Sequence, residues 1–215
     1  GIARQCAILG GVPEEKTAYS INMVCGSGMK AVMNAYSDIV TDFASVVIAG
    51  GTESMTNAGF VLPAEIRGGF KMGNLQAADH MVTDGLTDAF NNYHMGIAAE
   101  NIAEQFGISR EEQDAFAYRS QQKAIKAVDE DIFKEEIVPF EIVSRKETIV
   151  FDKDEFPNRT STPEKLAALK PAFKKDGTVT AGNASGVNDG ASFVMLADEE
   201  AVKRFNLKPL VEIIS

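Results

Sequence analysis

Histidine is nearly missing from this chain: only His80 and His94 occur in 215 residues. Any chemistry that needs an imidazole must use one of these two or take one from outside the chain. Cysteine is as rare, with Cys6 and Cys25 alone. Two thiols argue against a disulfide scaffold and for a reducing compartment, so a cytoplasmic location is expected. No apolar run approaches the roughly 20 residues that span a bilayer. The opening Gly1-Ile-Ala-Arg-Gln does not read as a secretory leader. The sequons at Asn158 and Asn183 therefore read as chance matches. Positive charge is also short, with 21 basic against 31 acidic side chains and a net charge of −10. Such a chain avoids nucleic acid and anionic membrane unless its positive charge is concentrated locally.

One window does concentrate it. Residues 143–175 hold eight basic side chains (Arg145, Lys146, Lys153, Arg159, Lys165, Lys170, Lys174, Lys175) and five acidic ones, which is +3 against −13 elsewhere. A phosphate-bearing ligand would be steered there, although a solvated loop face is the commoner origin of such a window. Otherwise the composition is ordinary. Apolar residues at 45% and charged residues at 24% suit a soluble domain with a real core.

Ile2, Ala3, Cys6, Ala7 and Leu9 follow helical spacing, closed by Gly10-Gly11 and Pro13. No N-cap or start Met precedes them, which suggests a trimmed N-terminus. Residues 18–24 read as a short strand and Cys25-Gly-Ser-Gly28 as a tight turn. A helix follows through Met29, Val32, Met33, Tyr36, Ile39 and Val40. Ala44-Ser-Val-Val-Ile-Ala49 is the apolar run of a buried parallel strand, ended by Gly50-Gly51. Residues 57–90 have weak periodicity and predict irregular structure. A helix fits 95–106, with Ile102 and Phe106 on one face and Gly107 as its stop. Ser109-Arg-Glu-Glu112 has capping-box spacing and opens another, carrying Ala115, Phe116, Ala124, Ile125 and Val128 inward. Short strands are expected at 137–143 and 148–151, and a Lys/Pro-rich connection at 152–175. After a Gly/Asn turn cluster at 182–190 come a buried strand at 191–197, a polar helix at 198–205 and the start of a strand at 209–214. That strand is cut at Ser215, which suggests a trimmed C-terminus. The expected organisation is a sheet domain (1–56), a mixed insertion (57–180) and a return to the sheet (181–215).

Cys25 carries the clearest chemical signal. It stands between a strand and a helix, with Gly26 and Gly28 keeping the turn open. Amides and the macrodipole at a helix start favour negative charge on such a sulfur. The arrangement is the thiol counterpart of the serine nucleophile elbow. A lone cysteine is more often a small buried residue, which is the reading for Cys6; the glycine spacing and the strand–helix context favour a nucleophile at Cys25. His94, just before a helix, reads as a cap or a satisfied hydrogen bond, and His80 has no further signal. Neither pairs with Cys or His at metal spacing, so no metal site is expected. The cluster Ala181-Gly-Asn-Ala-Ser-Gly-Val-Asn-Asp-Gly-Ala191 is neither a P-loop nor a dinucleotide fingerprint. It is either backbone approaching a ligand or a tight loop.

Asn22-Met-Val-Cys-Gly-Ser-Gly-Met-Lys-Ala31 resembles the nucleophilic-cysteine motif of thiolases. Val47-Ile-Ala-Gly-Gly-Thr-Glu-Ser-Met55 is similar to their next strand and turn. His94-Met-Gly-Ile-Ala-Ala-Glu-Asn101 and Ser109-Arg-Glu-Glu-Gln-Asp114 resemble their inserted loop domain. Pro171-Ala-Phe173 and Gly177-Thr-Val-Thr-Ala-Gly-Asn-Ala-Ser185 resemble its exit and return. The match runs in order through essentially the whole chain. The His-Met-Gly form looks more like the biosynthetic acetoacetyl-CoA thiolases, with Ala98 where Thr is frequent.

The resemblance implies an α/β, thiolase-like layered fold: an incomplete N-terminal sheet domain with an inserted mixed α/β loop domain for coenzyme A binding and tetramerisation. It implies Cys25 as the nucleophile that takes an acetyl group from acetoacetyl-CoA, with its own backbone amide near an oxyanion hole. It implies that Leu86, His94, Met95, Phe173, Ala181 and Ser185 line the pantetheine channel, with Arg159 at the nucleotide end. Acetyl-CoA, acetoacetyl-CoA and coenzyme A are then substrates and products, with no separate cofactor, in a homotetramer of fatty acid metabolism. The family's Asn-Glu-Ala-Phe, Gly-His-Pro and second-cysteine segments do not occur here. The chain therefore looks like the middle of a thiolase subunit that does not turn over alone. Two other readings stay open: a ketoacyl-synthase-type condensing enzyme, and a non-catalytic thiolase-like coenzyme A or lipid binder or assembly module.

Overall fold

The computed structural model describes residues 1–214. In chain order its helices are α1 (Ile2–Leu9), α2 (Ser27–Val40), α3 (Met95–Phe106), α4 (Arg110–Asp129), α5 (Pro163–Ala167) and α6 (Glu199–Arg204). Its strands are β1 (Val46–Ser54), β2 (Phe60–Val61), β3 (Ala78–Asp79), β4 (Phe140–Val143), β5 (Thr148–Phe151) and β6 (Asp189–Ala197). They form two units. One is Gly1–Met55 with the segment from Asp189 onward; the other is Thr56–Asn188.

In the first unit, β1 and β6 pair antiparallel over nine residues, from Val46 opposite Ala197 to Ser54 opposite Asp189. One face of α2 covers this ribbon. Ala35, Ala49 and Leu196 are buried there, with Ala31, Val32, Ile39 and Val47 packed around them. Small residues let helix and ribbon approach closely. Gly50 does the same within the ribbon: a Cβ on it would overlap the Ser192 carbonyl and lie 2.7 Å from Phe193 Cα. The other face of α2, with Met29, Met33, Tyr36 and Val40, is exposed. α1 ends as its glycines require, with the Gly10 N–H donating to the Cys6 carbonyl at 2.8 Å. The Arg4 guanidinium donates to the carbonyls of Glu14 and Lys16 at 2.6 Å, folding the following turn back onto α1.

Three expectations fail in this unit. The segment 18–24 forms no strand, and neither does 209–214. An extended segment becomes a strand only through a hydrogen-bonded neighbour, and among the described residues neither segment has a ladder partner. The apolar run of β1 is not a buried parallel strand. Its partner is antiparallel, it continues through Gly50-Gly51 to Ser54, and only Ala49 in it is buried. β6 is likewise exposed along most of its length, with Leu196 buried.

In the second unit, α3 matches its predicted span and α4 starts where its capping box predicts. Gly107 takes the left-handed conformation that ends α3 (φ 64°). The capping box is complete: the Glu112 N–H donates to Ser109 Oγ at 3.2 Å, and the Ser109 N–H donates to Glu112 Oε2 at 2.8 Å. The buried faces differ from expectation. α3 buries Gly96, Glu100 and Ala103 while Ile102 and Phe106 are exposed. On α4 the buried residue is Asp114, whereas Ala115 and Phe116 are exposed. Residues 57–90 are irregular apart from the two-residue β2–β3 ladder and short 3₁₀ and π turns. β4 and β5 form an exposed hairpin, β4 starting at Phe140 rather than at 137. The Lys/Pro-rich connection contains α5, which begins with Thr162 as N-cap and Pro163 at its first turn and buries Leu166. Among the described residues, no helix is long and apolar enough to cross a membrane.

Candidate active site

Cys25 lies in the first unit, exposed, two residues before the start of α2. The turn that presents it is strained at Val24, whose φ is 48°. A β-branched residue pays for that conformation with roughly 1–3 kcal/mol, so its surroundings must hold it. Three hydrogen bonds do so. The Val24 N–H donates to Asn22 Oδ1 at 2.9 Å. The Ser27 hydroxyl donates to the Val24 carbonyl at 2.7 Å and accepts the Met23 N–H at 2.8 Å. Asn22 and Ser27 thus pin both sides of the bend. The glycines matter less than their spacing suggests. A Cβ on Gly28 would meet nothing within 4 Å, and one on Gly26 would meet the Met23 carbonyl at 3.3 Å. Cys6, in α1, is half-buried.

The remaining candidates all lie in the second unit. His94 is the N-cap of α3: its Nδ1 accepts the Gly96 N–H at 2.9 Å, so capping is what this imidazole does. Its ring stacks on Phe173, with centroids 4.8 Å apart and planes 20° from parallel. Gly96 makes the stack possible, because a Cβ there would overlap three carbons of the Phe173 ring. Leu86 is fastened to the same helix start, its carbonyl accepting the Met95 N–H at 2.8 Å. Leu86, His94, Met95 and Phe173 are therefore brought together.

Ala181 and Ser185 are exposed on the turn that follows. The Ala172 N–H donates to the Val179 carbonyl at 2.9 Å, which pairs the segment leaving Phe173 with the one leading to Ala181. Arg159 stands apart from this group. Its guanidinium grips Asp129 with two hydrogen bonds, 2.6 and 3.0 Å long, and both side chains are exposed. The Arg159 hydrogen bond and charge hold the Asp129 carboxyl below its usual range, and Asp129 in turn raises Arg159. His80 forms an exposed contact with Asp84 at 2.9 Å and joins no candidate site.

Glu100 is the residue that sequence reading passed over. It is buried at 4% exposure. Its carboxylate accepts the Thr178 N–H with both oxygens (2.9 Å each), the Thr178 hydroxyl (3.0 Å) and the Val179 N–H (2.8 Å). The available signal was position. Glu100 shares a helix face with Gly96 and Ala103, and an acid among small residues is an acid in a close contact. Burial alone would raise its carboxyl. The amides of Thr178 and Val179, the Thr178 hydroxyl and the charge of Lys174 outweigh that and hold it below the ordinary value. The depressed folded-state value fixes the sign of the pH dependence. Glu100 stabilises the fold above its unfolded value of about 4.3, and that contribution is lost as pH falls through the lower folded value. In urea titrations, the stability gap between wild type and Glu100→Met should be constant from about pH 7 to 5 and shrink below about pH 4. A gap that does not move with pH would contradict this.

Comparison with known proteins places the chain. A family model described as "Thiolase, N-terminal domain" matches residues 1–200. A Staphylococcus aureus (strain COL) protein named "Probable acetyl-CoA acyltransferase" is 54% identical over 209 residues, which cover 97% of this chain and 53% of that protein. An acetyl-CoA acetyltransferase of Syntrophomonas wolfei is 52% identical over 218 residues, covering 100% of this chain and 54% of the relative. The crystal structure of human mitochondrial 3-ketoacyl-CoA thiolase superposes with a TM-score of 0.92 at 42% identity, over 97% of this chain and 52% of that one. The chain thus spans about half the length of the curated relatives it matches.

Proposed function

The chain belongs to the thiolase family, and from that membership we propose that it supplies the nucleophile and the coenzyme A cradle of an acetyl-CoA acetyltransferase. The observation that carries the reading is Cys25, exposed before α2 on a strained turn pinned by Asn22 and Ser27. Its thiolate attacks the keto carbon of acetoacetyl-CoA. The bond from that carbon to the α-carbon breaks, and its electron pair leaves on the acetyl-CoA carbanion, which takes up a proton. An acetyl thioester remains on Cys25 until the thiol of coenzyme A attacks it. The reverse sequence condenses two molecules of acetyl-CoA. Leu86, His94, Met95, Phe173, Ala181 and Ser185 face the pantetheine arm, and Arg159 exchanges Asp129 for a nucleotide phosphate. The parent enzyme acts as a homotetramer in the cytoplasm, in fatty acid metabolism, with no cofactor beyond its coenzyme A substrates.

The resemblance assigns the activating imidazole and the second thiol to segments that this sequence does not contain. The chain on its own is therefore proposed to hold an acyl group without completing turnover. That same lack favours one other reading, a thiolase-like coenzyme A or lipid binder that never forms an acyl-enzyme.

Incubation with acetyl-CoA followed by peptide mass spectrometry separates the two. An acetyl group on Cys25, absent from Cys6 and from the Cys25→Ala variant, is the expected result. An unmodified Cys25 after prolonged exposure, together with a coding sequence beyond Ser215 that lacks Gly-His-Pro and Cys-Gly-Gly segments, would overturn the acyltransferase reading.

A further inference from the structure

The face of α3 holds the segment from Phe173 to Val179 at two points. At one end Gly96 lies beneath the Phe173 ring, which stacks on His94. At the other, one helical turn on, the Glu100 carboxylate receives the amides of Thr178 and Val179 and the Thr178 hydroxyl. Gly177 lets the carboxylate lie against backbone, since a Cβ there would overlap Glu100 Oε1. α4 grips the same turn from its own side. The Gln113 amide donates to Thr178 Oγ1 at 2.9 Å, and Asn183 Nδ2 donates to Asp114 Oδ1 at 2.9 Å. Asn183 Oδ1 also accepts the Thr180 N–H at 2.8 Å, which closes the turn on itself. Ala181 lies in this turn and Ser185 just after it, while His94 caps and Met95 begins the helix that carries Glu100.

We propose that Glu100 is a positioning residue: its buried carboxylate latches the 177–183 turn onto α3 and so sets Ala181 and Ser185 against His94 and Met95. The proposal rests on the reading of those four residues as pantetheine-facing. Glu100 touches no substrate and acts only through the turn it holds.

The test compares Glu100→Met, which keeps the volume and removes the acceptors, with Glu100→Gln, which keeps one acceptor for the two amides. Both are measured on the whole chain, well below their melting temperatures, by hydrogen–deuterium exchange and by calorimetric titration with coenzyme A. In the Met variant, exchange should quicken at 177–183 and at 92–97 while 27–40 is unchanged. Its coenzyme A dissociation constant should rise roughly ten- to hundredfold, the range given by losing one or two charge-assisted hydrogen bonds. The Gln variant should stay within about threefold of wild type. A Met variant that exchanges like wild type, or a Gln variant no better than Met, overturns the proposal. Quickened exchange in a chain that binds no coenzyme A even as wild type sinks the ligand reading and leaves the latch. Coenzyme A affinity indifferent to both variants sinks the latch and leaves the ligand reading. Should the Met variant fail to fold, Thr178→Val removes a single donor from Glu100, and wild-type exchange at 177–183 in that variant also overturns the latch.

Discussion

Thiolysis of acetoacetyl-CoA by the purified chain should be undetectable, at least about 10⁴-fold below a complete enzyme. A positioned acid or base contributes about 10²–10⁴-fold to such a step, and the two that the thiolase resemblance implies belong to segments this sequence does not contain. The resident histidines and Cys6 make contacts of another kind. His94 spends Nδ1 on the Gly96 amide and its ring face on Phe173. His80 is paired with Asp84 on an exposed turn. Cys6 is half-buried in α1. Neither histidine stands in a segment to which the thiolase resemblance assigns the activating imidazole. The assay is loss of acetoacetyl-CoA with coenzyme A in excess, run beside Cys25→Ala. The two proteins should be indistinguishable in steady-state rate yet differ in acetyl labelling. A wild-type rate above the Cys25→Ala background would mean that a base within these 215 residues activates Cys25, contrary to this expectation.

Gly96→Ala should cost about 1–3 kcal/mol and lower the melting temperature of the second unit by roughly 5–10 °C. The added methyl falls on three carbons of the Phe173 ring. The ring cannot back away without leaving the His94 stack, so either α3 rotates or the stack is lost. Coenzyme A affinity should fall more than about tenfold in the same variant. Phe173→Leu placed on top of Gly96→Ala makes room for the methyl. That pair should recover much of the melting temperature and little of the affinity. A Gly96→Ala protein that melts and binds like wild type would show that the ring does not sit over Gly96 in solution.

The local chemistry of the second unit was readable because its signals are short-range. Ser109 with Glu112 and Gly107 after Phe106 each satisfy helix-end groups within four residues, and each stands where its pattern places it. α5 was missed although Thr162-Pro163-Glu164 is a helix start, because the surrounding lysines and prolines read as a loop. The fold family was legible too, through motif order rather than periodicity. Burial was read less well. Ile102, Phe106 and Phe116 are apolar at helical spacing yet exposed, whereas the buried positions belong to Gly96, Glu100 and Asp114. Periodicity reports which face is apolar; it does not report what lies opposite that face.

The sequence by itself determined the helices with their caps, the thiolase kinship and the turn that presents Cys25. Those depend on neighbours in the chain, and neighbours are what a sequence lists. The tertiary structure alone decided that β1 pairs antiparallel with β6 across some 140 residues of intervening chain. It also decided that the acid at Glu100 closes a turn 78 residues away. The physical reason is the same in each case. A ladder partner and a buried carboxylate are each stabilised by groups far along the chain, and no local pattern records them.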